Sequence, residues 1–98
     1  MQKELLARRY TVSGRVQGVG FRYYVEDVAG NMGVHGFVRN RRDGRVEVLA
    51  IGTPDQLKQL LVALEKGPLM SHVTGVAEEL GTVDAKYLGK FIIEATDE

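Results

Sequence analysis

A strand passes into a helix through a glycine-rich loop early in the chain, at Ser13-Gly14-Arg15-Val16-Gln17-Gly18-Val19-Gly20-Phe21-Arg22. Such a loop can turn successive backbone N–H groups inward, and the helix expected to begin near Phe21 adds the positive end of its dipole. The segment therefore predicts an anion site, although a tight connection whose glycines serve only turn geometry explains it equally well. Nucleotide binding is not indicated, because no Gly-Lys-Ser/Thr follows and Tyr23 occupies the place of the third glycine of a dinucleotide fingerprint.

Apolar residues recur at helical spacing directly after the loop. One stripe comprises Phe21, Tyr24, Val25, Val28, Ala29 and Met32. This stripe predicts an amphipathic helix that ends at Gly33. Before the loop, the alternation from Leu6 to Ser13 predicts a first strand, with Tyr10 and Val12 facing the core.

A β-hairpin is predicted after this helix. Two strand-like runs, Val34–Arg41 and Arg45–Ile51, flank Asp43-Gly44, a dipeptide favoured in hairpin turns that need positive φ. Nearer the end of the chain, Val73–Leu80 and Lys90–Ala95 also show strand patterns. The sequence therefore predicts an antiparallel pair in the middle of the chain and two further strands near its end.

A second helix separates the hairpin from the last two strands. Its start at Thr53-Pro54-Asp55-Gln56 combines a hydroxyl N-cap, an early proline, an early acid and a glutamine three residues after the threonine. Its buried stripe comprises Leu57, Leu60, Leu61 and Leu64, and Gly67-Pro68 ends it. The order β-α-β-β-α-β-β predicts an α/β (α+β) ferredoxin-like sandwich, a split βαβ arrangement with two helices on one face of a mostly antiparallel sheet.

Length and composition limit the possible classes of protein. The 98 residues suffice for one domain over 1–98, with residues 1–5 as a candidate flexible N-terminus. The chain has no Cys, which excludes disulfide scaffolds and thiol chemistry. Its longest apolar run, Leu60–Leu64, is too short for a membrane span or a signal segment, so a cytoplasmic protein without a membrane partner is expected.

Positive charge is concentrated in the first half of the chain. Residues 1–49 carry nine basic and five acidic side chains, residues 50–98 carry four and eight, and every Arg lies in the first half. Because the guanidinium fork suits phosphate or carboxylate, an anionic partner on that half competes with a merely solvated basic face. The formal net charge of zero argues against extended nucleic-acid binding.

The catalytic inventory of the sequence is small. Its two imidazoles, His35 and His72, stand at strand starts and are expected at the surface or in capping roles. No His or carboxylate pair has metal-ligand spacing, so neither a metal site nor a triad is predicted. Glu26-Asp27 and Glu78-Glu79 are chain neighbours whose side chains diverge, and they are expected to be solvated.

Arg22 and Asn40 are the two polar residues whose positions favour chemistry. Arg22 lies in the first helical turn but off the apolar stripe, so its guanidinium can fold back over the loop, where an anion would relieve its conflict with the helix dipole. Asn40 shares a strand face with Gly36 and Val38 by alternation, and a neutral amide there can orient a water. The alternative is an Asn that satisfies the approaching turn.

Two segments together resemble the acylphosphatase family. The first is Gly14–Arg22, and the second runs from Gly36-Phe37-Val38-Arg39-Asn40 to Asp43-Gly44-Arg45-Val46-Glu47. The resemblance extends over nearly the whole chain, from Tyr10 to the strand at Phe91. It implies the same ferredoxin-like sandwich and hydrolysis of the carboxyl-phosphate bond of small acyl phosphates, without a metal or any other cofactor.

The resemblance also implies a role for each candidate site residue. Arg22 binds the phosphoryl group together with the loop backbone, and Asn40 positions the attacking water. The loop residues are Arg15, Val16, Gln17, Gly18, Val19 and Gly20. Because the leaving group is good, electrostatic stabilisation suffices without a strong general acid. Inorganic phosphate is the expected product and inhibitor, and the chain is expected to be a monomer that binds no nucleic acid.

Two positions depart from the animal members of the family. Gly20 stands where those members have Cys, and Arg41 follows Asn40 where they often have a hydroxyl residue, which bears on the hydrogen bonding of Asn40. The competing hypothesis is a non-catalytic ferredoxin-like module that binds an anion or RNA. An RNA-binding sheet needs exposed aromatic residues on its central strands, and Tyr10 and Phe37 are few for that role.

Overall fold

One five-stranded sheet and two α-helices make up the computed structural model, which describes residues 4–96. In chain order the elements are β1 (Leu6–Arg15), α1 (Phe21–Met32), β2 (His35–Asn40), β3 (Val46–Gly52), α2 (Pro54–Lys66), β4 (His72–Leu80) and β5 (Phe91–Ile93). A single 3₁₀ turn at Ala85–Tyr87 lies between the last two strands. Residues 1–3 of the candidate flexible N-terminus lie outside the described residues.

The strand order in the sheet is β4-β1-β3-β2-β5. Neighbouring strands are antiparallel except β2 and β5, which run parallel. The predicted element order and the ferredoxin-like arrangement are therefore confirmed. The last strand is shorter than predicted, since β5 covers Phe91–Ile93 rather than Lys90–Ala95, whereas the ends of β2 and β3 differ from the prediction by one residue.

The main core lies between the sheet and the two helices. Tyr10 and Val12 of β1 are fully buried there, as the alternation predicted. The helices contribute their predicted stripes, with buried residues Phe21, Val25, Ala29, Leu57, Leu60 and Leu64. Burial of one large apolar side chain contributes roughly 1.5–3 kcal/mol, so this layer supplies most of the stability of the fold.

A smaller core covers part of the helix-free face of the sheet. It consists of Ala7, Phe37, Leu49, Ile51 and Tyr87. Tyr87 belongs to the 3₁₀ turn. It reaches this face because the connection from β4 to β5 runs across the face from one edge of the sheet to the other. The sequence pattern did not predict that the connection packs on this face, since the connecting residues show no periodicity.

The glycine-rich loop begins later than the sequence predicted. Strand β1 continues to Arg15, two residues beyond the expected end at Ser13, and pairs there with His72. Gly14 makes this possible, because it adopts a φ of 117° at a β-bulge where a Cβ would lie 2.1 Å from the carbonyl oxygen of His72. The loop therefore starts at Val16 rather than at Gly14.

Both helices end and begin as their terminal residues predict. Gly33 closes α1 with a φ of 77°. At the start of α2, Oγ1 of Thr53 accepts from the backbone N–H of Gln56, and the Gln56 Oε1 accepts from the backbone N–H of Thr53. The predicted capping box is therefore confirmed. Gln56 also donates to the Met32 carbonyl at 2.8 Å, which ties α2 to the end of α1.

The histidines and the paired acids take surface positions, as predicted. His35 Nδ1 accepts a hydrogen bond from the backbone N–H of Gly89 at 2.7 Å, and His72 is exposed. Glu78-Glu79 is exposed, and Glu26-Asp27 is at least partly so. Within residues 4–96, no group of three or more His, Asp or Glu residues is arranged to hold a metal ion.

Candidate active site

Two valines anchor the loop between β1 and α1. Val16 is buried, and Val19 packs against the main core, so the backbone between them is fixed. Gly18 and Gly20 have φ values of 73° and 78°, in the left-handed region that favours glycine. A Cβ at either position would meet no described atom within 4 Å. The backbone conformation, rather than lack of space, therefore requires these two glycines.

The N-terminus of α1 is left open at this loop. Its N-cap residue, Gly20, has no side chain that could accept a hydrogen bond from the first-turn N–H groups. No acidic residue stands in the first turn of the helix either. The positive end of the helix dipole therefore lacks a side-chain cap, and backbone N–H groups in this situation bind phosphate-like anions.

A cleft of about 190 Å³ opens beside this helix end. It brings together Arg22 and Asn40, which lie far apart in the sequence. Its lining consists of Val16, Gly18, Gly20, Phe21, Arg22, Tyr23 and Asn40. A guanidinium, an amide and an open helix end therefore surround one small volume.

Three of the predicted loop residues do not line this cleft. Arg15 ends β1 and has an exposed side chain. Val19 turns its side chain toward the core, and Gln17 turns its amide toward the hairpin. Tyr23, which we did not single out from the sequence, lines the cleft and is 69% exposed. Its place beside Arg22, off the apolar stripe, is the sequence signal that could have identified it.

Asn40 ends β2 on the side of the sheet that faces the helices. Gly36 and Val38 on the same face are buried, as alternation predicted. The Asn40 Oδ1 is buried and accepts no hydrogen bond from the described residues, so the alternative in which this oxygen satisfies the turn is not observed. An unpaired buried acceptor costs roughly 1–3 kcal/mol, so a bound water is a suitable partner for this oxygen.

Gln17 ties the loop to the hairpin that carries Asn40. Its Nε2 donates to the carbonyl oxygens of Arg41 at 2.7 Å and of Arg45 at 3.0 Å. The hairpin closes at the same two residues, where the backbone N–H of Arg41 donates to the Arg45 carbonyl at 2.8 Å. One side-chain amide therefore sets the distance between the loop and the residue next to Asn40.

The side chain of Arg41 turns toward acidic partners rather than toward the Asn40 Oδ1. Its Nε lies 3.3 Å from Asp43 Oδ2, and its Nη1 lies 3.6 Å from Glu47 Oε1. Hydrogen bonds from the Arg45 side chain and backbone, with a smaller contribution from Arg41, hold the pKa of Asp43 well below its usual range. Asp43 therefore stays ionised and orients both arginines. Among the described residues, Arg41 included, no donor reaches the Asn40 Oδ1.

Comparison with known proteins assigns the chain to a family. Residues 8–93 match the family model described as Acylphosphatase. The chain belongs to the acylphosphatase family. This acylphosphatase is therefore an enzyme of a family whose substrates are small acyl phosphates, in agreement with the resemblance in its two motifs.

Relatives with the same name match nearly the whole chain. An acylphosphatase of Koribacter versatilis (strain Ellin345) is 53% identical over 89 residues, which cover 91% of this chain and 80% of the relative. The crystal structure of acylphosphatase from Bacillus subtilis matches with a TM-score of 0.85 and 38% identity, covering 93% of this chain and 99% of that one. An acylphosphatase structure from Coxiella burnetii gives a TM-score of 0.88 at 33% identity, covering 96% and 99%.

The two aromatic residues considered for an RNA-binding sheet are both buried. Tyr10 is 0% exposed and Phe37 is 6% exposed. Neither ring is therefore available for stacking with a base, which is how ferredoxin-like sheets bind single-stranded RNA. The family assignment and the burial of both rings favour acylphosphatase over that alternative.

Proposed function

We propose that this acylphosphatase hydrolyses the carboxyl-phosphate bond of its substrate without a metal ion or other cofactor. Arg22 and the backbone of residues 15–20 hold the phosphoryl group, and Asn40 positions the attacking water. One observation carries the proposal. Asn40 has a buried oxygen without a hydrogen-bond partner, and it lines the same cleft as Arg22 and the open end of α1.

The phosphoryl group binds where positive charge converges. Its equatorial oxygens accept hydrogen bonds from backbone N–H groups of the loop and of the first turn of α1, and from the Arg22 guanidinium. Arg22 alone is unfavourable beside the positive helix end, and the bound anion removes this conflict. Donors that are in place before substrate binds stabilise the developing charge, and each is commonly worth about 10²-fold to 10³-fold in turnover.

The water held by Asn40 attacks phosphorus from the side opposite the acyl oxygen. A bond forms between the water oxygen and phosphorus while the bond from phosphorus to the acyl oxygen breaks. The carboxylate leaves unprotonated because it is a weak base, and the protons of the water end on the inorganic phosphate. This reaction needs positioning and electrostatic stabilisation rather than a strong acid or base.

The remaining expectations are part of the same proposal. The enzyme acts as a monomer in the cytoplasm, binds neither nucleic acid nor membranes, and is inhibited by its product, inorganic phosphate. Among the described residues, no helix has the length and apolar character required to cross a bilayer. Size-exclusion chromatography with light scattering tests the oligomeric state, and phosphate inhibition is measured in the steady-state assay.

The phosphate-binding role is tested with Arg22→Ala and Arg22→Lys. Calorimetry should show that the alanine protein no longer binds inorganic phosphate measurably, and that lysine restores little, since a point charge cannot replace the guanidinium fork. Arg8→Ala is the matched control, because Arg8 is a partly exposed arginine of β1 that does not line the cleft. Parental phosphate affinity in Arg22→Ala would contradict the assignment.

A further inference from the structure

A second cleft lies on the helix-free face of the sheet. Its volume is about 490 Å³, against about 190 Å³ for the active-site cleft. Residues of β1, β2 and β3 and the last residue of β4 line it, with the connection that follows β4 on the other side. The lining residues are Arg9, Phe37, Arg39, Leu49, the segment 80–85 and Tyr87. Clefts of roughly 300–1000 Å³ suit small organic ligands.

One buried carboxylate holds the two arginines of this second cleft in place. Glu47 is 3% exposed. Its Oε2 accepts a hydrogen bond from Arg9 Nη1, and its Oε1 accepts one from Arg39 Nε at 2.8 Å. Burial alone would raise the pKa of Glu47, but the hydrogen bonds and charges of Arg39 and Arg9 outweigh it and keep that pKa below its ordinary value. Both guanidinium groups are thus oriented before any ligand binds.

Each of these guanidinium groups keeps donors for a ligand. Arg9 contacts Glu47 through Nη1 and Arg39 through Nε, which leaves the other N–H groups of both side chains available within the described structure. The two side chains are 37% and 29% exposed. Arg9, Arg39 and the more distant Arg41 face the single Glu47 carboxylate, so positive charge exceeds negative charge immediately around Glu47. Guanidinium forks of this kind bind a carboxylate through paired hydrogen bonds.

Aromatic and apolar side chains form part of the lining of the second cleft, beside its arginines and the polar residues Thr82 and Asp84. The Arg39 guanidinium lies 5.1 Å from the centroid of the Phe37 ring, and this centroid lies 5.2 Å from that of Tyr87. Leu80 and Val83, which also line the cleft, are 81% and 43% exposed. An apolar ligand would remove their surface from water, which favours binding.

One acidic side chain limits the charge that a ligand can carry. Asp84 lines the second cleft, and its Oδ1 accepts a hydrogen bond from the backbone N–H of Lys86 at 3.1 Å. Its carboxylate would repel a second anionic group on the ligand. A ligand with one negative charge and a flat apolar body therefore matches the lining better than a polyanion does.

The geometry points to a second binding site on the helix-free face, one that takes an aryl monocarboxylate. The carboxylate of the ligand binds Arg9 and Arg39, and its ring covers Leu80 and Val83. The site shares no lining residue with the active-site cleft. Binding there consequently requires no contact with Arg22 or Asn40.

The probe that tests this site is benzoate, titrated into the full chain while inorganic phosphate saturates the active site. Benzoate should shift the NMR signals of the Arg9 and Arg39 Nε–H groups and of the backbone N–H groups of residues 81–84. Benzamide has the same shape without the charge and should bind at least about tenfold more weakly. Shifts confined to residues 15–22, or equal binding of benzamide, would overturn the proposal.

Two glutamate substitutions separate this site from non-specific attraction of the anion. Val83→Glu adds a negative charge at the rim of the second cleft and leaves the Arg9–Glu47–Arg39 contacts intact, so benzoate affinity should fall at least about tenfold. Val62→Glu adds the same charge on the outer face of α2, where Val62 is 62% exposed, and should keep the parental affinity. Equal affinity in both variants would also overturn the site.

Discussion

The side chain of Gln17 joins two parts of the active site that are distant in the sequence. Its backbone belongs to the loop that we propose to hold the phosphoryl group, whereas its amide donates to Arg41 and Arg45 beside Asn40. In the proposed mechanism, the position of phosphorus relative to the water therefore depends on this side chain. A misplacement of about 1 Å can lower an enzymatic rate by about 10²-fold.

Replacement of Gln17 should affect turnover more than folding. Gln17→Met keeps the length of the side chain and removes the donor, so kcat should fall at least about tenfold while unfolding becomes easier by about 1–2 kcal/mol. Steady-state hydrolysis of benzoyl phosphate and thermal unfolding measure the two effects. Gln59→Met, at an exposed position of α2, is the control and should change neither. A parental kcat in Gln17→Met would exclude this positioning role.

The sequence predicted where Arg22 and Asn40 lie but not how the loop is held. Helical spacing placed Arg22 off the buried stripe, and strand alternation placed Asn40 on the face of Val38, so two local periodicities sufficed for both. The amide of Gln17 contacts residues of a different hairpin, and no local pattern encodes such a contact. The orientation of Tyr23 into the cleft likewise depends on how α1 packs on the sheet.

At the level of elements, terminal residues were the most informative part of the sequence. The capping box at Thr53 and the left-handed Gly33 could be predicted, because each sequence signal lies within a few residues of the helix end. The late end of β1 could not be predicted from the sequence. Gly14 allows two more residues of β1 to pair with β4, and this pairing requires that β4 lie beside it. The 3₁₀ turn at Ala85–Tyr87 is too short to show a period.

Loss of the α2 cap should lower stability without affecting catalysis. Thr53→Ala removes the acceptor for the backbone N–H of Gln56, which costs about 1 kcal/mol and lowers Tm by about 4–8 °C for a domain of this size. Asn40 pairs with Val46 at the first end of β3, whereas Thr53 follows the other end of this strand. The kcat should therefore remain parental. Differential scanning calorimetry measures the shift, with Thr74→Ala at an exposed strand position as control. An unchanged Tm would show that the cap contributes nothing.

Across the whole molecule, the two faces of the sheet are stabilised differently. The helix-covered face is an apolar core, whereas the open face combines a small apolar cluster with the ion pairs of Glu47 to Arg9 and Arg39. The topology followed from the order of elements. The burial of Glu47 could not be predicted in this way, because an outward-facing Glu on a strand is normally solvated. Here the arginines of the neighbouring strands cover its side chain.

The ion pairs of Glu47 should make stability depend on pH in the acid range. The folded-state pKa of Glu47 lies below its ordinary value of about 4.3, so its ionised form stabilises the fold above that pH and loses the effect as pH falls through the folded-state pKa. Glu47→Gln should destabilise the protein at neutral pH by roughly 1–3 kcal/mol. This difference from the parent should narrow below about pH 4.3. Urea unfolding at a series of pH values measures it, and a difference independent of pH would refute this account of Glu47.

The turnover of Asn40→Ala with benzoyl phosphate in excess EDTA tests the proposed mechanism most directly. Because the water contact is stronger in the transition state than in the ground state, kcat should fall at least about 10²-fold. Phosphate affinity should change little, circular dichroism should show a folded protein, and the parent should remain active in EDTA. A folded Asn40→Ala protein that hydrolyses benzoyl phosphate at close to the parental rate would contradict the role of Asn40. A parent that loses activity in EDTA and regains it with a divalent ion would contradict the metal-free reaction.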